Sequence, residues 1–313
     1  MAQGRHVPQA LVDLSIKCLQ DKTVFNMGEA LAPTKRVGKE TDAYYIYNIS
    51  QQFRQSNDIR AKGAPANIVN PTELSTTSYV LKRHALRGEV YDQDRKNADP
   101  AVDPDADVIE EVSFAMLRNK EIEVAKQFFT TTSFSVNLLT LSSNSYEKDT
   151  TTSTPIDDAQ NSFEVVAKST GKIPNGLALG YKTMNVLTRH QDILDRIKWS
   201  ERGIISPDIL AAVLGVDSVN VSKAIYTTTD EGISATMNFI FDQKMLYYYN
   251  NPNPRIKSSN MGITFAGMYG EMTPEIKSYR LEEIEADVYE QNWMYDVRMV
   301  LSLAGYMIAA VHS

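Results

Sequence analysis

The longest regular pattern of apolar and polar positions in the chain lies between residues 103 and 129. Apolar side chains recur there every three or four positions, which is the spacing of one stripe along a helix. Asp103 can cap this helix, and Pro104 suits the first turn, where a missing amide hydrogen costs nothing. We therefore predict one long helix over residues 104–129. Its apolar stripe is predicted to consist of Val108, Ile109, Val112, Ala115, Met116, Ile122 and Phe129.

Charged residues occupy the positions between these apolar ones. We expect them to lie around the rest of the helix, away from the stripe. A helix of this length needs a sheet or another subunit to cover its apolar side. The charged positions are Glu110, Glu111, Arg118, Lys120, Glu121 and Glu123.

Two strand-like runs predict a long excursion of the chain over residues 44–91. Residues 44–53 are rich in aromatic and β-branched side chains, and residues 79–91 are predicted to form the matching return strand. This region has few large apolar side chains, and an isolated two-stranded ribbon is only marginally stable in water. We therefore expect the ribbon, with its small-residue tip at 60–67, to rest on another subunit.

Short helical and strand-like patterns follow one another from Pro155 onward. Such a mixture predicts a compact α+β or α/β module over residues 156–257. A linker rich in asparagine and proline at residues 250–254 closes it. The predicted elements of the module are helices at 157–168, 181–190, 192–198 and 208–214, and strands at 177–179, 219–226 and 237–249.

The two ends of the chain complete the predicted organisation. Strand-like runs at residues 289–300 and 306–311 are expected to return to the sheet beneath the long helix. The domain that contains the long helix is then discontinuous, with the 156–257 module inserted in it. Residues 1–43 combine one helical pattern with loop-like sequence, so we expect an N-terminal arm that lies across a neighbouring surface.

The composition is that of a folded protein and narrows the classes of function. The chain has 313 residues, 42% of them apolar and 23% charged. Its formal net charge of −7 argues against a dedicated nucleic-acid-binding surface, which would normally be basic. Cys18 is the only cysteine, which excludes an intrachain disulfide and a multi-cysteine metal site. The longest apolar stretch, around residues 300–311, is too short to span a bilayer, so we expect no membrane association.

The sequence contains no familiar catalytic motif: a P-loop, a dinucleotide-binding glycine motif and a nucleophile elbow are all missing. His190 could serve a metal site or a triad, but a helix junction capped by Asp192 explains it better. Asp103, Asp105 and Asp107 imitate part of a calcium loop. The turn glycine and the closing glutamate are missing, so the helix cap is favoured. We predict no catalytic residue, no cofactor, no metal ion and no enzymatic activity.

Several stretches, taken in order along the chain, carry a likeness to a known family. They are residues 60–67, 74–79, 82–86, 99–129, 171–180, 190–198, 295–298 and 304–308. In this order they resemble the major capsid proteins of tailed bacteriophages, which share the Hong Kong 97-type shell fold. The family commonly has proline after the histidine that opens the 190–198 run, and this sequence has Gln191 there. The likeness covers roughly residues 44–311 and depends on the ordered set, not on any single motif.

The resemblance implies an α+β fold of the Hong Kong 97 phage capsid type. Its parts are a long spine helix, a peripheral domain, an inserted axial domain and an extended β-ribbon loop. The implied bounds are 1–43 for the N-terminal arm, 44–78 for the extended loop, 79–155 and 258–313 for the peripheral domain with spine helix 104–129, and 156–257 for the axial domain.

The resemblance also implies a function, that of a major capsid protein. Hexamers and pentamers of the chain would assemble in the cytoplasm of the bacterial host. They would form the icosahedral head of a tailed phage around its double-stranded DNA, and the protein would remain in the virion capsid. The acidic charge suits a lining that repels the packaged DNA without reading its sequence. A separate scaffolding protein, a portal protein and a decoration protein are the expected further partners.

Contacts between subunits are expected in the extended loop, at Arg54, Arg60, Lys62 and Asn67. Some members of the family join neighbouring subunits by a lysine–asparagine bond from this loop. Lys62 lies in the corresponding segment, but no matching motif surrounds a partner asparagine.

Two other interpretations compete with the phage capsid. The first is an encapsulin-like shell protein of a cellular nanocompartment, which would enclose a protein cargo instead of a genome. The second is a stand-alone enzyme or binding domain that uses the 156–257 module, and the lack of a site constellation disfavours it.

Overall fold

A computed structural model describes residues 25–69, 72–98, 103–134, 136–141, 145–148, 150–198, 205–229, 234, 236–251, 253, 260–267 and 274–312. The helices, in chain order, are α1 (Met27–Leu31), α2 (Ile49–Gln52), α3 (Asp92–Asn97), α4 (Pro104–Phe128), α5 (Pro155–Thr170), α6 (Tyr181–Arg189), α7 (Gln191–Ile197) and α8 (Pro207–Leu214). Short 3-10 helices span Thr131–Phe134, Glu282–Ile284 and Ser302–Ala304. The strands are β1 (Thr34–Arg36), β2 (Thr41–Tyr47), β3 (Leu74–Val80), β4 (Lys82–Tyr91), β5 (Leu138–Thr140), β6 (Gly176–Gly180), β7 (Ser218–Ser222), β8 (Ile225–Thr227), β9 (Met237–Phe239), β10 (Lys244–Tyr248), β11 (Gly262–Ala266), β12 (Glu275–Leu281), β13 (Ala286–Met299) and β14 (Gly305–Ala309).

The first sheet is built around β13 and carries the long helix. β13 pairs antiparallel with β4 on one side and with β11 and β12 on the other. β1 extends the sheet by pairing parallel with β11. Helix α4 packs across β4 and β13, as the sequence prediction of a covered stripe requires. The predicted strand at 289–300 therefore does lie beneath this helix, as part of β13.

The long helix α4 begins at Pro104, as predicted, and ends at Phe128. The carboxylate of Asp103 caps it by accepting hydrogen bonds from the amides of Asp105 (3.2 Å) and Ala106 (3.3 Å). Proline in the first turn and acidic residues behind it suit the positive end of the helix dipole. The predicted helix cap at Asp103 is confirmed.

The buried side of α4 differs from the prediction in its C-terminal half. Lys120 and Glu121 were expected away from the stripe, but only 8% and 3% of their surfaces are exposed. Ile122, expected in the stripe, is only partly buried. The reason is that α1 packs against this half of the helix, so a second side of it is covered. The buried residues of α4 are Ile109, Val112, Ser113, Met116, Leu117, Lys120, Glu121, Val124 and Phe128.

The segment around α1 also corrects a prediction. We expected residues 1–43 to form an arm across a neighbouring surface, but α1 and β1 pack into their own subunit. Met27 and Leu31 are fully buried in a core cluster that includes side chains of α4, β10, β13 and β14. Their apolar surface fills the space where the long helix and the two sheets meet. Residues 1–24 lie outside the described part of the chain.

The second sheet has the strand order β5-β14-β10-β6-β7. β10 lies between β14 and β6 and pairs antiparallel with both. At the two edges of the sheet, β5 pairs parallel with β14, and β7 pairs parallel with β6. The strand predicted at 306–311 therefore belongs to this sheet, and the expectation that it lies beneath the long helix was wrong. Met307 and Ile308 are fully buried in two different core clusters, so this strand is covered on both faces.

Helices α5 to α8 accompany the second sheet close to their predicted positions. Ser206 caps α8 with its hydroxyl, which accepts from the Ile209 amide (3.4 Å), and Gly215 ends the helix in a left-handed conformation. The strand predicted at 237–249 is interrupted, because residues between β9 and β10 leave the extended conformation and Gln243 has a positive φ of 58°. The domain bounds given above stay a prediction.

The ribbon differs in register from the prediction. β2 pairs with β3 from Thr41 opposite Val80 to Tyr47 opposite Leu74. The predicted return strand at 79–91 is therefore divided: its start completes the ribbon, and β4 joins the first sheet. Leu81 is buried at this division, where the chain enters the body of the subunit. The second half of the predicted strand at 44–53 is the short helix α2.

Candidate assembly surfaces

The base of the ribbon is fixed to the first sheet. The ring of Tyr79 stacks on Phe265 with centroids 4.5 Å apart, and Tyr44 contacts the same ring at 5.3 Å. The amide of Val80 donates a hydrogen bond to the buried carboxylate of Asp296 (3.0 Å). These contacts set the direction in which the ribbon leaves the subunit.

The rest of the ribbon and its loop are exposed. Several large apolar side chains of this region face solvent, and Ile59 and Ile68 are 80% and 89% exposed. Exposed apolar side chains gathered in one segment are typical of a surface that a partner covers. The exposed apolar residues of the ribbon and loop are Tyr45, Phe53, Ile59, Ile68, Val69, Leu74 and Val80.

All four residues predicted to contact neighbouring subunits lie on this exposed loop. Arg60 donates to the carbonyl of Ala64, and Asn67 donates to the carbonyl of Asn57 (2.7 Å). These two residues therefore shape the loop itself. Arg54 and Lys62 are exposed on the same segment. The loop brings the four residues into one surface region, and their contacts with another subunit stay a prediction.

The sequence prediction concentrated on polar residues and missed the apolar ones of the loop. Ile59, Ile68 and Val69 flank the small-residue tip without any alternating pattern. The sequence did contain one signal of a contact surface, namely isolated apolar residues in a segment that has no core of its own. Their exposure makes them contact candidates beside the four polar residues.

A second exposed apolar region lies at the end of the second sheet. The hairpin of β8 and β9 exposes Ile225 and Met237 by 48% and 60%. Tyr181 and Leu194 are also more than a third exposed, and they line an open depression of about 490 Å³. This end of the subunit thus offers a further surface that a neighbour could cover.

The buried His190 lies at a helix junction, as predicted, but its role in the cap differs from the prediction. His190 itself caps α7, because its Nδ1 accepts from the amide of Asp192 (3.3 Å). Its other ring nitrogen, Nε2, forms a hydrogen bond with the hydroxyl of Ser153 at 2.7 Å. Asp192 instead accepts from the amide of Ile156 (3.2 Å).

An ion-pair network fixes the start of the long helix. Arg95 of α3 holds Asp105 through two hydrogen bonds of 2.6 and 3.0 Å, and it also binds Asp287 of β13 (3.0 Å). These carboxylates raise the pKa of Arg95 above its ordinary value. Tyr289 donates a further hydrogen bond to Asp105 (3.0 Å). The acidic residues are thus engaged with arginine and tyrosine, and no metal-binding group of three or more ligands occurs within the described ranges.

The comparison of sequences gives one relative. The major capsid protein of Burkholderia phage BcepMu is 27% identical over 203 residues, which cover 64% of this chain and 64% of that protein. The chain thus matches less than two thirds of that relative's length. No model of a known protein family matches the sequence.

Solved structures match nearly the whole chain. A phage-related protein from Bordetella bronchiseptica RB50 has a TM-score of 0.74 at 20% identity, over 99% of both chains. The capsid of cyanophage P-SCSP1u has a TM-score of 0.57 at 10% identity, over 90% of this chain and 87% of that one. The chain has the Hong Kong 97-type capsid fold.

The capsid fold occurs in more than one kind of shell. The SrpI encapsulin of Synechococcus elongatus PCC 7942 has a TM-score of 0.53 at 13% identity, over 99% of this chain and 92% of that one. At such low identities the structural matches establish the capsid fold and leave the contents of the shell open. Within the described residues, no helix combines the length and apolar character needed to cross a membrane.

Proposed function

We propose that the chain is the major capsid protein of a tailed phage. Copies of it assemble into the icosahedral head that encloses the double-stranded DNA genome. The observation that carries the proposal is the ribbon, which is anchored at its base and exposes large apolar side chains along its loop. The capsid fold and the relative from phage BcepMu support the same conclusion.

The ribbon loop makes the contact between neighbouring subunits. Burying Ile59, Ile68 and Val69 against another copy removes apolar surface from water, which is the main driving force of association. Arg54 and Lys62 add charged contacts at the edge of the same surface. Each copy donates its loop to the next one, so the contact is heterologous and closes into a ring.

The surface formed by the β8–β9 hairpin and the adjacent depression lies at the centre of each ring. Ile225 and Met237 of one copy meet the next copy around the five-fold and six-fold axes. This arrangement gives hexamers and pentamers from one chain. The apolar side chains exposed at this end of the subunit support it.

The shell has further partners by this proposal. A scaffolding protein guides assembly, a portal protein occupies one vertex, and a decoration protein can bind outside. DNA is enclosed without sequence-specific contacts, which suits a net charge of −7. Assembly takes place in the bacterial cytoplasm. The chain catalyses no reaction in this role, and His190, the one residue that suggested a triad, is engaged in a helix cap.

A nanocompartment shell is the second candidate. Its support is the match to an encapsulin over nearly the whole chain. Such a shell would enclose a protein cargo and no genome.

Electron cryo-microscopy of particles isolated from the producing cells separates these functions. Large heads filled with DNA are the expected result. Small shells around a protein cargo would favour the nanocompartment. A dispersed, compact monomer would contradict both shell functions.

A further inference from the structure

Glu121 of the long helix is a carboxyl group inside the core. Only 3% of the residue is exposed. One carboxyl oxygen, Oε1, accepts a hydrogen bond from the amide of Gly28 at 3.0 Å. The other oxygen, Oε2, is buried and has no hydrogen-bond partner among the described residues. A buried carboxylate with one unsatisfied oxygen is costly in its ionised form.

The segment that covers Glu121 is α1 with its flanking residues, 26–33, which we call the strap. Gly28 lies directly on the helix: a Cβ atom added to it would be 3.5 Å from both Glu121 Oε1 and Lys120 Cε. At its other end, the side-chain amide of Asn250 donates to the carbonyls of Ala30 (2.9 Å) and Leu31 (2.7 Å). Among the side chains that hydrogen-bond to the strap at these two points, Glu121 and Asn250, only the Glu121 carboxyl gains and loses a proton.

The other charged groups around this site come from two elements, the long helix and the strap. On α4 itself, Lys120 places its nitrogen 4.4 Å from the ring centroid of Trp293, and Glu123 interacts with the hydroxyl of Tyr295 on β13. On the strap, Glu29 accepts hydrogen bonds from the amide and hydroxyl of Thr34 (3.1 and 2.9 Å). Lys120 therefore faces the indole as well as the acids, and Glu121 Oε2 gains no hydrogen bond from it.

We propose that Glu121 is a proton-dependent latch, which holds the strap on the long helix when its carboxyl is neutral and loosens it when ionised. Removing the strap would expose the carboxyl to water, where ionisation carries no desolvation cost. Proton binding and seating of the strap are therefore linked. The latch concerns the subunit alone and does not depend on the shell function.

The direction of this linkage follows from the pKa of the group. Burial raises the pKa of Glu121 from its ordinary value of 4.5 to about 7, and the amides of Gly28 and Met27 and the charge of Lys120 only partly oppose this. The seated state thus binds the proton more tightly than the open state. Seating is strongest below 4.5, weakens as the pH rises to about 7, and stays constant above that.

Hydrogen–deuterium exchange of the full chain, read by mass spectrometry, tests the latch. Protection of the strap amides, corrected for intrinsic exchange, should fall by up to roughly tenfold per pH unit across this window. Peptides from β6, a fully buried strand, serve as the internal reference and should show no such fall. Constant strap protection across the window in the wild-type protein would overturn the proposal, whatever the variants do.

Two variants sharpen the test. Glu121→Gln keeps an oxygen that accepts from Gly28 but never ionises, so its strap should stay protected at every pH in the window. Glu111→Gln, on the exposed side of the same helix, should follow the wild-type protein. A Glu121→Gln strap that loses protection with the wild-type pH dependence would assign the effect to another group and contradict the latch.

Discussion

Gly88 of β4 lies directly beneath Val108 of the long helix. A methyl group added to Gly88 would overlap Val108 Cγ1 and come within 3.2 Å of Val112 Cγ2. The missing side chain therefore sets how closely α4 approaches the first sheet. The N-terminal half of the helix depends on this approach, because Ile109 and Val112 are buried against the sheet side.

Gly88→Ala should therefore destabilise the subunit. The helix must move away from β4 or the valines must leave their rotamers, which costs about 1–3 kcal/mol of the free energy of unfolding. Urea unfolding followed by circular dichroism measures it. Gly38→Ala is the matched control, since nothing lies within 4 Å of its Cβ position. Equal stability of the two variants would show that the helix is not in close contact with β4.

Arg95→Met should weaken the attachment of the helix start. The arginine joins Asp105 and Asp287 in a partly buried network, so its loss should cost more than the ~0.5 kcal/mol typical of an exposed helix pair. Lys168→Met, in the exposed pair with Glu164, is the control and should change the thermal midpoint very little. Comparable midpoints for both variants would mean that the Arg95 network does not stabilise the fold.

Met116→Asp should prevent folding. Met116 is 3% exposed in the main core cluster, and an unpaired carboxylate there costs more than about 4 kcal/mol. Far-ultraviolet circular dichroism of the purified variant reports the loss of structure. Asn119→Asp introduces the same carboxylate on the exposed side of the same helix and should fold normally. A folded Met116→Asp protein would show that this side of α4 is not covered.

The elements predicted best from sequence are those whose determinants are local. Helix α4 was predicted nearly to the residue because its cap, Asp103, directly precedes it, and Pro104 and the apolar repeat lie within it. The burial of Lys120 and Glu121 was missed because it depends on Gly28, which is 93 residues away in sequence. The apolar pattern within the helix cannot show that a segment so distant in sequence packs on it.

Strands were recognised more reliably than their partners. The run containing β14 was identified, yet it was placed in the wrong sheet because pairing with β10 is a non-local contact. The ribbon was expected, but Leu81 divides its return strand, and one buried leucine is not a recognisable signal. The loop residues Arg54 and Lys62 are exposed, and their predicted contacts with another subunit stay a prediction. These predicted contacts are with another copy, and a single subunit does not contain that surface.

The central claim is that the ribbon loop joins one subunit to the next. Sedimentation velocity of the full chain beside a variant lacking residues 60–67 tests it most directly. We expect large shells from the full chain, and from the variant a folded subunit with native circular dichroism that does not form shells. A full chain that sediments as a compact monomer, or a variant that assembles as well as the full chain, would contradict it.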